Sequence, residues 1–233
     1  MILSALLSTA LLSSTLPSDE PIANTSLGVL RGTLKPLARE WLRVPFAEPP
    51  TGARRWSPPL PKRPWQGRLD ATTFGAGCPQ PAGFDPPVAN TSEDCLSMAI
   101  YAPRQARGAA GALAPMLVYF HGGSFLNGGA EEARLNASRL VGSFGGRVVV
   151  AVVQYRLGVL GFLGSNALRG RGGDASTGNY GVQDQREGLR FLRQHAAAFG
   201  GDPDSITIAG QSAGAGLVSV HADCMMIVRM VAC

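Results

Sequence analysis

The sequence predicts an α/β chain built on a doubly wound, mostly parallel sheet, and three observations lead there. Apolar stretches of strand length alternate with stretches of helical period along the second half of the chain, the order that produces sheets covered by helices on both faces. A glycine-rich cluster, His121-Gly122-Gly123-Ser124-Phe125, ends one of those strands. A G-x-S-x-G turn, Gly210-Gln211-Ser212-Ala213-Gly214, stands directly after the last of them and before a run of small residues that can start a helix.

Taken in chain order, residues 19–75 are rich in Pro, Gly and Trp. Gly28 and Gly32 punctuate an alternating pattern there, which predicts a short N-terminal hairpin over 25–34. The prolines of the segment 44–52 forbid helix, so it is expected to be an ordered loop. Strands are predicted at 96–101 and 115–120, the second a short apolar run of the kind buried on both faces. A helix is expected over 131–141, followed by the strongest strand in the chain at 147–155, which is almost entirely apolar. Between 181 and 199 the period changes. Val182, Leu189, Leu192 and Phe199 share one helical face, with Arg186, Glu187, Arg190 and Arg193 largely turned away from it. That crossover helix is expected to end at Gly200-Gly201, turn at Asp202-Pro203 and lead into a strand at 205–209.

Composition narrows the function classes. The chain has 233 residues, 45% of them hydrophobic, enough for a buried core and against disorder. Its net charge of +5 comes from 19 Arg and only two Lys, Lys35 and Lys62, scattered rather than gathered. Without a dense basic patch or interleaved aromatics, nucleic acid is not the expected partner. Residues 1–18 form an apolar run of signal-peptide length ending in small residues, too short to span a bilayer. Three N-x-S/T sequons start at Asn24, Asn90 and Asn136. Cys78 and Cys95 are close in sequence, and a disulfide closing that loop would add roughly 3 kcal/mol in the chain-entropy model. Together these predict a secreted glycoprotein with no stable membrane insertion.

The chemistry rests on two loops. A serine on a tight strand-to-helix turn is held with its hydroxyl exposed at the sheet edge, and small flanking residues let the backbone make that turn. Ser212 is therefore the candidate nucleophile. Acyl transfer also needs donors for the oxyanion of a tetrahedral intermediate, and a glycine-rich loop after a buried strand supplies backbone N–H groups that converge on one spot. No Lys-Ser/Thr follows that loop, which argues against a phosphate cradle.

At this point the sequence resembles the type-B carboxylesterases, a family of the α/β-hydrolase fold that includes cholinesterases and bile-salt-type lipases. The resemblance runs in order through Phe46-Ala47-Glu48-Pro49-Pro50 with Arg55-Trp56, through Glu93-Asp94-Cys95-Leu96 and the loop 121–125. It continues through 155–162, 178–185 and 199–203, and ends on 210–215. It implies Ser212 as nucleophile, Gly123, Ser124 and Ala213 as oxyanion N–H donors, Gly122 as the residue that shapes the loop, and a Cys78–Cys95 disulfide. It also implies a small-molecule or lipid ester as substrate, with no metal and no cofactor. Ser124 stands where a third glycine is common, and Gln211 where glutamate is frequent, which removes a charge beside the serine.

A serine hydrolase of this type needs a histidine and an acid, in the order Ser, then Asp or Glu, then His. The 21 residues after Ser212 hold only His221, expected on the helix that begins at the serine and directed away from its hydroxyl, and Asp223. His121 and His195 are expected to be structural. The organisation predicted is a leader at 1–18, the N-terminal portion of a carboxylesterase domain at 19–221 and an atypical tail at 222–233. The fold is expected to be truncated after the serine turn, through a truncated or misread gene, and the chain to be inactive or nearly so. Cys224 and Cys233 are either unpaired or joined in a short disulfide. The alternative function is a non-catalytic binding or adhesion module of the same fold.

Overall fold

The computed structural model describes residues 20–82, 88, 90–105, 112–171, 175–222 and 229–232. The expected leader, Asp223, Cys224 and Cys233 lie outside the described residues.

The chain opens with strand β1 (Ile22–Thr25) paired antiparallel to β2 (Gly28–Arg31). The turn between them is set by Thr25, whose Oγ1 accepts from the N–H groups of Leu27 and Gly28. Gly28 closes that turn opposite Thr25, whereas Gly32 lies just past the hairpin, which spans Ile22–Arg31 rather than 25–34. Both are close-approach positions: a Cβ on Gly28 would lie 2.5 Å from the Trp65 ring, and one on Gly32 2.4 Å from the Glu40 carbonyl oxygen. After β3 (Thr33–Leu34) and β4 (Ala38–Pro45), the strand β5 (Arg68–Asp70) completes a three-stranded sheet beside β2. Val44 and Pro45 close β4 rather than open a loop.

The main sheet adds β6 (Ser97–Pro103), β7 (Ala114–Phe120), β8 (Val149–Val153), β9 (Gly201–Gly210) and β10 (Arg229–Ala232), in the spatial order β10-β9-β7-β8-β6-β4-β3. The sheet is mixed. The pairs β10/β9, β9/β7 and β7/β8 are parallel, and β8/β6, β6/β4 and β4/β3 are antiparallel. The α/β architecture holds, but the main sheet is not mostly parallel as expected: three of its six pairings are parallel, and these lie in the half that carries the candidate site.

Alternation on β8 shows why the sheet is buried on both sides. Val149, Ala151 and Val153 enter one apolar cluster with Met98, Ile100, Met116, Val118 and Phe120, whereas Val150 and Val152 enter a second with Ala99 and Tyr101. Each such side chain contributes roughly 1.5–3 kcal/mol on burial. The second cluster is covered by helix α1 (Ser138–Ser143) through Val141. The expected helix over 131–141 is split into a 3₁₀ turn at Ala133–Leu135 and α1, because Asn136 Oδ1 accepts from the Ser138 N–H and starts a new turn.

The first cluster is covered by the crossover helix, which follows α2 (Gly158–Phe162) and α3 (Asn166–Arg169) and is α4 (Tyr180–His195). Val182, Leu189 and Leu192 are buried as expected, and Phe199 joins them from a 3₁₀ turn, Ala196–Phe199, after the helix ends. Glu187 is a correction. It is buried, not turned away, and accepts from Arg190 at 2.6 Å. Gly200 terminates this stretch at φ 88°, where a left-handed residue is required. Asp202 and Pro203 lie inside β9 at a register shift against β7, not in a separate turn before it.

Candidate active site

Strand β9 ends at Gly210, and helix α5 (Ala213–Ala222) begins three residues later, so Ser212 sits on the sharp connection between them. Its φ of 55° is a left-handed conformation that costs a serine energy and that the surrounding contacts must hold. Two glycines make the connection possible. A Cβ on Gly210 would stand 2.4 Å from the Gly214 carbonyl carbon, and one on Gly214 2.1 Å from the Phe120 oxygen. No side chain at either position fits without moving backbone. Ser212 itself is exposed.

Because β7 pairs with β9 so that Phe120 faces Gly210, the loop after β7 arrives beside the serine. Gly122 touches it: a Cβ there would lie 3.1 Å from Ser212 Cβ and 2.7 Å from the Gln211 oxygen. The loop then turns tightly, with Gly123 at φ 114°, Ser124 at 54° and Phe125 at 62°. The Leu126 and Asn127 N–H groups both donate to Gly123 O, closing the turn. Among the described residues, the N–H groups of Gly123 and Ser124 have no backbone acceptor. Ala213 is the first residue of α5, where a helix leaves its N–H unpaired. The structure thus brings Gly122 against Ser212 at the C-terminal ends of β7 and β9, with Gly123 and Ser124 next in the same loop and Ala213 directly after the serine. The strain at Phe125, a large side chain at positive φ, had no signal in the sequence.

The loop is fixed from beneath by His121. Its ring is buried and stacks on Tyr155 with ring centroids 4.4 Å apart, and Tyr155 Oη donates to His121 O at 2.7 Å. The His121 Nδ1–H donates to Gly122 O at 2.9 Å, the only sense open to a carbonyl. Burial lowers its pKa, against the opposing pull of the Gly122 carbonyl and Glu132. A neutral, structural ring follows. His195 packs on Phe191 near the end of α4, and burial lowers its pKa as well. His221 lies on α5, where its Nε2 bonds Gln185 Oε1 at 2.7 Å and its ring packs on Phe120. Burial, helped by Arg186, brings its pKa down to about 4. None of the three histidines bonds Ser212.

Asp184 on α4 anchors the chain leaving β8. It accepts from the Arg156 backbone N–H at 3.0 Å and from its guanidinium at 2.8 and 2.7 Å, with both side chains almost fully buried. The disulfide Cys78–Cys95 is formed, with an S–S distance of 2.03 Å. Beside the oxyanion loop and α5 a cleft of about 510 Å³ opens, lined by Phe125, Phe162, Thr177, Val182, Leu217 and Val220 among others. No group of three or more metal-ligating side chains occurs among the described residues, and no helix there is long and apolar enough to cross a membrane.

A family model described as the carboxylesterase family matches residues 19–226. The chain belongs to the carboxylesterase family. It is 36% identical over 197 residues to para-nitrobenzyl esterase of Bacillus subtilis (strain 168), which covers 83% of this chain and 38% of that protein. It is 36% identical over 246 residues to human neuroligin-2, covering 86% of this chain and 28% of that one. Among solved structures, a carboxylesterase of Geobacillus stearothermophilus superposes with a TM-score of 0.78 at 35% identity, covering 91% of this carboxylesterase-family chain and 43% of the solved one. The chain therefore spans about two fifths or less of the length of these relatives.

Proposed function

We propose that this chain carries the nucleophile and oxyanion portion of a serine ester hydrolase acting through an acyl-enzyme. The observation that carries the reading is the strained Ser212 at φ 55°, exposed between β9 and α5 with Gly122 against it. Ser212 Oγ attacks the ester carbonyl, and the carbonyl oxygen becomes an oxyanion received by the N–H groups of Gly123, Ser124 and Ala213. The alcohol leaves with a proton, and water attacks the acyl-serine to release the acid. The bordering cleft joins apolar side chains, Phe125, Phe162, Val182, Leu217 and Val220, to polar ones such as Asn179, Gln183 and Arg186, which supports a small-molecule or lipid ester as the substrate class. The chemistry calls for no metal or cofactor.

Proton transfer from Ser212 requires a base, and the three histidines of this chain are engaged elsewhere. As it stands, the chain is expected to turn over p-nitrophenyl acetate no faster than its Ser212→Ala variant, and Ser212-dependent turnover well above background would contradict this. A fluorophosphonate probe tests the nucleophile assignment separately. Slow, selective labelling of Ser212 supports the hydrolase reading. The second reading, a binding module, draws on the similarity to neuroligin-2, and absence of labelling favours it. Exposure of Asn24, Asn90 and Asn136 and the formed disulfide support passage through a secretory route with glycosylation at those sequons. A mass shift on N-glycosidase treatment of protein secreted from eukaryotic cells tests that reading, and an unshifted band counts against it.

A further inference from the structure

We propose that Gln80 is the positioning residue for the oxyanion loop, acting through the backbone of Gly128. The inference rests on the hydrolase reading of Ser212. Gln80 lies two residues after Cys78, and its side-chain amide closes a reciprocal pair of bonds with one residue: Gly128 N–H donates to Oε1 at 2.9 Å, and Nε2 donates to Gly128 O at 3.0 Å. The second hydrogen of Nε2 goes to Cys78 O at 3.0 Å. Only one orientation of the amide satisfies a donor and two carbonyls, so the side chain is held in that sense.

What Gly128 does explains why this matters. At φ 109° it closes the loop that began at Gly122, and a Cβ on it would stand 2.7 Å from Gly122 O and 2.5 Å from His121 Nδ1. The two ends of the oxyanion loop therefore touch, and holding one holds the other. Gly122 in turn lies on Ser212, and Gly123 and Ser124 carry the N–H groups assigned to the oxyanion. A displacement of Gly128 passes directly to those donors.

The clamp is useful only if Gln80 stands on something rigid, and it does. The disulfide joins Cys78 to Cys95, two residues before β6. Gln154, just past β8, donates from Nε2 to Ala76 O at 3.0 Å and to Cys95 O at 3.2 Å, tying both sides of the disulfide to the sheet. The path thus runs from the central sheet through Gln154 and the disulfide to Gln80, and from there to the loop. Neither the 48-residue separation of Gln80 from Gly128 nor its residue type marked it in the sequence.

The test compares the wild-type chain with Gln80→Ala and Gln80→Glu, the second nearly isosteric and retaining an acceptor for the Gly128 N–H. Two readouts are taken: amide hydrogen exchange by segment, and the rate and half-saturating concentration of fluorophosphonate labelling at Ser212. In Gln80→Ala, amides of 122–128 are expected to exchange about tenfold faster or more while those of α4 stay unchanged. The maximal labelling rate should fall about tenfold to a hundredfold at constant half-saturating concentration, as misplacement by about 1 Å does elsewhere. Gln80→Glu should fall between wild type and Gln80→Ala in both readouts. Unchanged exchange at 122–128 in Gln80→Ala would overturn the proposal, as would faster exchange with labelling at the wild-type rate. Faster exchange with no Ser212 labelling even in wild type would support the clamp and overturn the hydrolase reading instead.

Discussion

Removing Asp184 should be among the most damaging single substitutions the fold allows. Arg156 and Asp184 are 3% and 0% exposed at their side chains, and Asp184 takes three hydrogen bonds from Arg156. In Asp184→Ala the guanidinium stays charged, because arginine does not deprotonate in proteins, and it is left in a site without an anion. Breaking a buried pair from one side costs about 3–5 kcal/mol, a large part of the roughly 5–15 kcal/mol that holds a domain folded. Arg156→Met should cost a similar amount near neutral pH but behave differently in acid. Burial pushes the Asp184 carboxyl upward, and Arg156 is what opposes it. Without that cation the folded state holds a proton more tightly than the unfolded state, so stability should recover as pH falls. Asp184→Ala should show no such recovery. Arg156 Nη1 has no partner even in the wild type, so the pair is incompletely satisfied, and the double variant Arg156→Met/Asp184→Leu should be less damaged than either single variant, with a remaining cost of about 1–3 kcal/mol from the residue-156 backbone N–H that loses Asp184 as its acceptor. Urea unfolding followed by tryptophan fluorescence, at pH 7.5 and pH 5, measures all four proteins. Single variants that each cost under about 1 kcal/mol, or a double variant as damaged as the singles, would show that the buried charges do not hold this part of the fold.

Two other outcomes are expected. Replacing both Cys78 and Cys95 with alanine removes a cross-link spanning 17 residues and should lower stability by about 3 kcal/mol in the same urea assay, whereas an unchanged midpoint would contradict the chain-entropy account. All three histidines have pKa values lowered chiefly by burial, His221 to about 4, so the unfolded chain takes up protons first. Stability should be complete above pH 6.5 and fall as pH drops toward 4, and His221→Gln should flatten that slope. An unaltered slope in the variant would show that His221 does not contribute to the acid sensitivity.

Features set by local periodicity were legible in the sequence. The valine run of β8 could only be a strand covered on both faces, and Val182, Leu189 and Leu192 marked the face of α4 that meets the sheet. The serine turn and the glycine loop were legible because each carries a backbone requirement that small residues alone meet. Features set by contacts between distant residues were not. Gly28 and Gly32 look like turn residues, but the Trp65 ring packed on the first and the Glu40 carbonyl with the Trp41 ring on the second leave no room for a side chain. Glu187 occupies a polar position in the helical pattern, yet neighbouring structure buries it. Gln80, Gln154 and the Arg156–Asp184 pair act across separations of 28 to 78 residues through hydrogen bonds that no spacing announces.

In the proposed function, the β9–α5 connection beside Gly122 presents Ser212 as the nucleophile by holding its hydroxyl exposed. Fluorophosphonate treatment of the native chain and of the chain in urea, with peptide mapping of the adduct, tests this most directly. The adduct is expected on Ser212 in the native chain alone, with none at this position in Ser212→Ala. Labelling that is equal in native and unfolded chains, or native labelling spread over other serines, would contradict it.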